Sequence, residues 1–209
     1  DQIDELHKKI APSQAAYDLV HTHCVVVATI ARQLARHQNA LFTNKLGQGS
    51  GNALDDSAGA AEQADLPSDG ITGGRVPKRL IDEHLATIGG LLHDAGKMKV
   101  PNDILNKPGK YTDEEFAIMK RHPEEGEKIL LSIPGIHSVS IDIALHHHER
   151  FDGSGYPRGL KGREIPLAGR IVAVADVFDA LVHRRIYKDP WPIKTALEYM
   201  RNASGTQFD

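Results

Sequence analysis

The sequence predicts an all-α fold, and three observations support this prediction. Apolar residues recur at helical spacing in two stretches, from Ala15 to Ala35 and from Ile81 to Leu92. Residues typical of helix N-termini precede several further segments of the chain. No stretch shows the strict alternation of apolar and polar residues that a half-buried strand requires. We therefore expect helices almost throughout the chain.

Capping signals place the boundaries of several helices. Thr112 precedes Glu115 by three residues, which is the capping-box pattern, so a helix should begin there and run to about Lys120. Proline is tolerated in a first turn, so His122 and Pro123 should open the next helix. The remaining helices are expected over residues 136–148 and 166–182.

Two glycine-rich stretches interrupt the helical pattern, and they differ in kind. Residues 44–77 contain much Gly, Ser, Ala and Asp and little apolar surface to bury, which predicts a flexible insertion. Residues 149–165 carry Phe151, Tyr156 and several cations, which favours an ordered functional loop. We expect one domain over residues 1–209, and the termini suggest that it is part of a longer signalling protein.

Composition excludes several classes of function. The net charge of −3 provides no basic field for a DNA or RNA duplex. The single cysteine, Cys24, excludes a disulfide framework or a thiolate zinc cluster and indicates a reducing compartment. No apolar run approaches the roughly 18 residues of a membrane span. We therefore expect a cytoplasmic protein whose fragment makes no membrane contact.

Histidine is the unusual part of the composition, because most of the 12 histidines lie in short, dense motifs. His93 and Asp94 close an apolar helix, where the carboxylate can bridge two cations and the imidazole can bind one of them. A helix end stabilised by histidine and terminated by Gly96 is the alternative. His122 and the run 146–148 follow downstream, and three consecutive histidines cannot all face a core.

Three further positions suggest chemistry. Asp176 lies in a segment that is apolar on nearly every face, so its carboxylate needs a cation; a metal ion and a hydrogen-bonded structural aspartate are both open. Lys97 follows His93 by one turn and is a phosphate-binding candidate or a solvated lysine. Upstream, one of His21 and His23 can point inward from an otherwise apolar helix.

Taken together, these motifs resemble the HD-GYP family of bacterial cyclic di-GMP phosphodiesterases. Seven ligand-type residues, the Gly-Tyr-Pro loop and the Gly-Thr-Gln-Phe-Asp tail occur in the family's order, from about residue 17 to residue 209 apart from the insertion. The resemblance implies an all-α, HD-type helical bundle with an ordered Gly-Tyr-Pro loop. It also implies a site for divalent metal ions, iron or manganese, which suits a set of nitrogen and oxygen ligands.

The resemblance assigns the metal ligands residue by residue. Alignment by the Gly-Tyr-Pro loop selects the last two histidines of the triple, and the family pattern favours His21 over His23. Tyr17 stands where members with a third metal carry glutamate, which favours two metals. The implied ligands are His21, His93, Asp94, His122, His147, His148 and Asp176, with Asp94 as the bridge between the two metals.

The resemblance also assigns residues to the substrate. Lys97 would hold the phosphate or protonate the leaving ribose oxygen, and Tyr156 would stack on guanine. Arg185 and Lys188 correspond to the family's phosphate-binding pair. The loop itself is identified by Gly153, Gly155, Tyr156 and Pro157.

The implied activity is hydrolysis of the 3′–5′ phosphodiester bonds of cyclic di-GMP to pGpG or GMP. Two alternatives remain: a phosphodiesterase for another dinucleotide such as cyclic GMP-AMP, and a non-catalytic signalling module that binds nucleotide. A diguanylate cyclase domain is an expected partner through the Gly-Tyr-Pro loop, and a homodimer stays open.

Overall fold

The computed structural model describes Glu5, His7, Lys8 and residues 14–48, 80–184 and 189–209, with only the backbone for residues 14–20 and 42–48. No strand occurs among these residues, so the predicted all-α fold is confirmed. The α-helices are α1 (Gln14–Gln48), α2 (Glu83–Leu92), α3 (Asn102–Leu105), α4 (Asp113–Met119), α5 (His122–Leu131), α6 (Ser138–His146), α7 (Leu167–Val182) and α8 (Ile193–Asn202).

Side-chain caps begin helices α2 and α4, and the sequence predicted the one at Thr112. Thr112 accepts a hydrogen bond from the Glu115 amide, and the Glu115 carboxylate accepts one from the Thr112 amide, so α4 begins with a complete capping box. Asp82 caps α2 by accepting from the amides of His84 and Leu85. Pro123 lies in the first turn of α5, as predicted.

Helices α1, α2, α6 and α7 form the main core. Their buried apolar residues pack against one another. The cluster consists of Val27, Ala31, Ala35, Ile81, Ala86, Ile143, Ala168, Ile171, Val172 and Ala175. Small residues dominate on α1 and α7, which lets their backbones approach closely. This core fixes the relative positions of the helix ends that carry the histidines.

Helices α1 and α6 have boundaries that differ from the sequence-based prediction, and two other helices were not predicted. Helix α1 continues to Gln48, so the predicted insertion over 44–77 begins as helix; residues 49–79 lie outside the described residues. Helix α6 is shorter than 136–148, because the His137 side chain caps it by accepting from the Val139 amide and the chain leaves the helix after His146. The two unpredicted helices are α3 and α8.

The described C-terminal residues pack beneath the 149–165 loop. Phe151 and Asp152 donate backbone hydrogen bonds to the carbonyls of Gln207 and Thr206, at 3.2 and 2.8 Å. Phe208 is buried, and Arg170 of α7 pairs with Asp209. The loop is therefore ordered by residues that follow it by about fifty positions in the chain. None of the described helices is long and apolar enough to cross a membrane.

Candidate metal centre

His93 and Asp94 lie at the end of α2, where the chain turns into a short 3₁₀ segment, Ala95–Lys99. Both side chains are buried. The Gly90 carbonyl can only accept, so His93 Nδ1 donates to it at 2.7 Å. In the tautomer that this bond implies, the lone pair is on Nε2, which lies 3.3 Å from Asp94 Oδ2.

Helices α5 and α6 bring a second set of histidines to the opposite side of Asp94. His122 Nδ1 donates to the Met119 carbonyl at 2.8 Å, and His147 Nδ1 donates to the Ala144 carbonyl at 3.0 Å. Their Nε2 atoms lie 3.3 Å apart. The ring of His148 packs against both of these rings. We call His122, His147 and His148 the imidazole half of the centre.

Helices α1 and α7 complete the other side. His23 Nε2 lies 3.3 Å from Asp176 Oδ1 and 3.6 Å from Asp94 Oδ2. His23 Nδ1 lies 2.5 Å from Asp179 Oδ2, so a second carboxylate one turn along α7 orients this ring. We call His23, His93, Asp94 and Asp176 the carboxylate half.

Asp94 connects the two halves through its two oxygens. Oδ1 lies 3.4 Å from His122 Nε2 and 3.8 Å from His147 Nε2. Oδ2 faces His93 and His23 of the carboxylate half. A carboxylate placed in this way can contribute one oxygen to each of two neighbouring cations.

The donor atoms fit divalent metal binding. His122, His147 and His148 form one group, and His23, His93 and Asp94 form another; within each group one ligand atom per residue lies within 4.8 Å of the others. Among the described residues, no hydrogen-bond partner satisfies the buried atoms His23 Nε2, His93 Nε2 and Asp94 Oδ1. Buried ring nitrogens and a carboxylate oxygen that face one another without hydrogen-bond partners indicate a site for a cation.

The two halves differ in their electrostatics. Burial lowers the pKa of His122 to about 3 and that of His148 to about 4, and it lowers the pKa of His147 well below its usual value. Burial also lowers the pKa of His23, but the surrounding carboxylates Asp176, Asp179 and Asp94 outweigh burial and raise it to about 10. The imidazole half is therefore neutral, whereas the carboxylate half attracts positive charge.

The carboxylates themselves stay ionised despite their burial. Burial raises the pKa of Asp94, but Lys97 and His93 more than offset it and hold the pKa well below its usual value. Burial likewise raises the pKa of Asp176, and His23 more than offsets this effect. Lys97 Nζ lies 2.5 Å from Asp94 Oδ2, and about a fifth of the Lys97 side chain is exposed (22%). Lys97 thus lies at the edge of the centre, between Asp94 and solvent.

The histidine of α1 that lies at the metal centre is His23. The family resemblance in the sequence favours His21 as this ligand, and the structure corrects that prediction. Two residues apart on a helix point about 200° away from each other, so only one of the pair can face the centre. His21 instead places its Nδ1 3.1 Å from Nδ1 of His7, and His7 itself is buried with Nε2 3.0 Å from the Leu91 carbonyl.

A signal in the sequence could have identified His23. The residues Val27, Ala31 and Ala35 repeat at intervals of four and are all fully buried, and the same row extended backward reaches His23. Asp179 was missed because its role depends on His23, which is 156 positions away in the chain.

The Gly-Tyr-Pro loop is held by a carboxylate that sequence reasoning also missed. Glu149 is buried, and its two oxygens accept hydrogen bonds from the amides of Arg158 and Leu160, at 2.7 and 3.1 Å. Gly155 packs so closely on the Glu149 backbone that a Cβ atom there would lie 2.6 Å from Glu149 Cα. Gly153 has a φ of +86°, a conformation that favours glycine.

This loop brings Tyr156 to the centre. The Tyr156 ring stacks on His148 with a centroid distance of 4.9 Å and an interplanar angle of 28°. Burial raises the pKa of the Tyr156 hydroxyl, so it remains protonated. His146, the first residue of the triple, faces away: its Nδ1 lies 3.9 Å from Glu149 Oε1.

Some predicted residues lie outside the described residues. These are Arg185 and Lys188, in the interval 185–188, and the side chain of Tyr17. Their assignments therefore remain predictions.

Several named phosphodiesterases are similar in sequence to this chain. The cyclic di-GMP phosphodiesterase PA4108 of Pseudomonas aeruginosa is 47% identical over 134 residues, 64% of this chain and 32% of that protein. A cyclic di-GMP phosphodiesterase of Thermotoga maritima is 56% identical over 118 residues, 56% of this chain and 32% of that protein. The 3′3′-cGAMP-specific phosphodiesterase 2 of Vibrio cholerae is 49% identical over 119 residues, 56% of this chain and 23% of that protein. The chain thus spans about a third or less of these relatives.

Two solved structures share the fold. An HDG"Y"P protein of Bdellovibrio bacteriovorus superposes with a TM-score of 0.55 at 22% identity, covering 90% of this chain and 48% of that one. The HD domain of the L. monocytogenes phosphodiesterase PgpH, in complex with cyclic di-AMP, superposes with a TM-score of 0.51 at 17% identity, covering 95% and 82%. These similarities support the HD-type helical fold.

The match to a family agrees with the fold and with the site. The HD domain family matches residues 77–209, which is more than half of the chain and includes both halves of the centre except His23. The relatives from Pseudomonas aeruginosa and Thermotoga maritima are named as cyclic di-GMP phosphodiesterases, which is the activity of the family that the motifs resemble. The chain therefore belongs to the HD domain family, and its resemblance to the HD-GYP phosphodiesterases is confirmed.

Proposed function

We propose that this chain is a metal-dependent phosphodiesterase that hydrolyses the 3′–5′ phosphodiester bonds of cyclic di-GMP. One observation carries the proposal: two groups of metal-ligand residues, buried except for the partly buried His23 and His148, face the carboxylate of Asp94 from either side. Relatives named as cyclic di-GMP phosphodiesterases, at 47% and 56% identity, support the substrate.

Two divalent ions, iron or manganese, would occupy the centre. His23, His93, Asp94 and Asp176 would hold one ion, with His23 replacing His21 as the ligand from α1. Asp94, His122, His147 and His148 would hold the other. The absence of thiolate ligands from both sets favours iron or manganese over tetrahedral zinc. When bound, a metal pair supplies a deprotonated water at neutral pH and clamps the attacked phosphate.

The chain's own residues orient the substrate around that pair. Lys97 reaches from Asp94 toward solvent, where its ammonium could hold the scissile phosphate or protonate the leaving ribose oxygen. Tyr156 presents an aromatic ring beside His148 on which guanine can stack. Arg185 and Lys188 would grip the second phosphate, as the resemblance implies. The product would be pGpG, or GMP if both bonds are cut.

Cyclic GMP-AMP is the second candidate substrate. The cGAMP-specific relative of Vibrio cholerae is 49% identical over 119 residues, which is within the range of the cyclic di-GMP relatives. The metal centre acts on the phosphodiester and does not distinguish the bases. A non-catalytic nucleotide-binding module is less well supported, because both halves of the centre retain their ligand types.

Partners and compartment follow from the same proposal. The exposed part of the Gly-Tyr-Pro loop, around Ser154, could contact a diguanylate cyclase domain. A homodimer is compatible with this surface. The single cysteine, Cys24, is buried and free, which agrees with the reducing cytoplasm as the location.

The test combines metal analysis with product chromatography. The protein loaded with iron or manganese is incubated with cyclic di-GMP and, separately, with cyclic GMP-AMP. We expect bound metal and conversion of cyclic di-GMP to pGpG or GMP. Faster turnover of cyclic GMP-AMP would support the second candidate. Full metal loading without turnover of either substrate would support the non-catalytic alternative and contradict the proposal.

A further inference from the structure

A cationic and aromatic surface continues outward from the metal centre at the C-terminal end of α4, where Lys120 follows the last helical residue. Lys120 Nζ lies 5.7 Å from the centroid of the Tyr156 ring, which itself stacks on His148. The same ammonium lies 4.6 Å from the centroid of the Phe116 ring. We call Lys120 and Phe116 the α4 ledge. It connects the imidazole half to the protein surface through Tyr156.

The ledge is not explained by packing. Phe116 is 42% exposed and lies outside the small core of Val100, Ile104 and Met119 beneath this region. Among the described residues, no carboxylate lies within ion-pair distance of Lys120, whereas Lys107 and Lys128 both have such partners. An exposed aromatic ring beside a cation without an acidic partner is a surface suited to a ligand that is both aromatic and anionic.

A groove lies next to the ledge, and Phe116 belongs to both. Phe116 lines this groove together with Gly109, Lys110, Tyr111 and Asp113, and its volume is about 290 Å³. That volume is at the lower end of the range of ligand pockets, so it fits one part of a larger ligand. The walls combine two aromatic residues, Tyr111 and Phe116, with groups of both charges, which suits a nucleobase better than a phosphate.

The proposed substrate has parts that the metal centre cannot hold. A cyclic dinucleotide carries two phosphodiesters and two bases, and only one phosphodiester can lie on the metal pair at a time. The protein as a whole carries a net charge of −3, so local cations must hold the second phosphodiester; the resemblance assigns Arg185 and Lys188 to it, and a further cation can share its charge. The α4 ledge offers that cation next to an aromatic face.

We propose that the α4 ledge is a substrate subsite: Lys120 contacts the phosphodiester that is not being cut, and Phe116 stacks on a base that enters the groove. This inference rests on the proposed function. It adds a binding surface from α4 to those assigned to Lys97, Tyr156, Arg185 and Lys188. The inference also predicts that the ledge strengthens the binding of dinucleotides. It should affect small diesters much less, because they cannot reach it.

The experiment compares Lys120→Ala and Phe116→Ala with matched surface controls, Lys128→Ala and Leu131→Ala. Lys128 is an exposed lysine and Leu131 an exposed apolar residue (63%), and both lie on α5 away from the ledge. For each protein, KM and kcat are measured on cyclic di-GMP and on bis(p-nitrophenyl) phosphate. The Kd for a hydrolysis-resistant phosphorothioate analogue of cyclic di-GMP is measured by calorimetry, with metal content and Tm.

We expect Lys120→Ala to raise KM and Kd for the dinucleotide roughly fivefold, as loss of an exposed charge-assisted contact would. Phe116→Ala should raise them about tenfold, because base stacking on an aromatic ring is a strong contact. The effect on kcat and on bis(p-nitrophenyl) phosphate should be much smaller. Metal content and the two control variants should match the wild type.

Two results would overturn the subsite. One is a KM and Kd for the dinucleotide within twofold of wild type in both ledge variants. The other is an equal loss on the dinucleotide and the small diester, which would place the ledge in the support of the centre. If the wild type hydrolyses no cyclic dinucleotide, the proposed function is wrong. The Kd for the phosphorothioate analogue then tests the subsite independently. Weaker analogue binding by the variants would then support the subsite, and no binding by the wild type would refute it.

Discussion

The two halves of the metal centre are built in different ways. In the imidazole half, backbone carbonyls fix the rings of His122 and His147, and burial keeps them neutral. In the carboxylate half, a side chain, Asp179, orients His23, and Asp176 faces the same ring. One half therefore offers neutral nitrogen ligands, whereas the other concentrates negative charge.

This difference indicates that the two proposed metal positions are not equivalent. Asp94 and Asp176 give the carboxylate half two anionic ligands, while the imidazole half has only its share of Asp94. Attraction for a divalent cation grows with ligand charge in a buried site. We therefore expect the carboxylate half to bind its ion more tightly. The following changes are ordered from the largest expected effect to the smallest.

Asp94→Ala should abolish metal binding in both halves of the centre, so that no difference in affinity remains between them. The carboxylate contributes an oxygen to each side, so its loss should reduce the metal content from about two ions per chain to nearly none and abolish turnover. Metal analysis and product chromatography check this expectation. Near-normal activity in a correctly folded variant would contradict the two-metal centre.

Asp176→Asn and His147→Ala should separate the halves. Each removes one ligand from one side, so each should lose about one ion per chain while retaining the other. The ion that remains in His147→Ala should resist a chelator longer, because it lies in the carboxylate half. Stepwise chelator titration followed by metal analysis measures the difference. Equal retention in the two variants would show that ligand charge does not rank the sites.

Asp179→Asn tests the support of the carboxylate half. The amide can still contact His23 Nδ1, but it lacks the charge that holds this ring, so metal affinity should fall roughly 10- to 100-fold. Competition with a chelator measures the affinity. Asp142→Asn is the matched control, because Asp142 is a half-buried aspartate on α6 near His146 and away from both halves. A comparable loss in the control would attribute the effect to general destabilisation.

His146→Ala should have the smallest effect on the centre. Its ring is buried but points toward Glu149, away from the facing Nε2 atoms of the imidazole half. Metal content should stay at the wild-type level, and activity should fall far less than in His147→Ala, although the lost packing can lower Tm by a few degrees. A loss as large as that of His147→Ala would show that the first histidine of the triple belongs to the centre.

Much of this centre could be predicted from the sequence because its parts are local. The His93-Asp94 pair and the His147-His148 pair are neighbours in the chain, and each follows an apolar helix whose end fixes where the side chains point. The capping box at Thr112 and the proline of α5 set helix starts through bonds within one turn. Chemistry carried by adjacent residues and short-range caps is readable without the fold.

The tertiary structure alone decided which histidine of α1 faces the metals. His21 and His23 lie on opposite sides of one helix, and the choice depends on how α1 packs against α2 and α7. The same holds for the supporting carboxylates: Asp179 reaches His23 across 156 positions, and Glu149 holds the loop through amides of residues that follow it. The sequence by itself determined the ligand types and the helices that carry them, because both depend on local bonding. Packing between distant helices determined the facing side chains, because a helix face becomes inward only when a neighbour covers it.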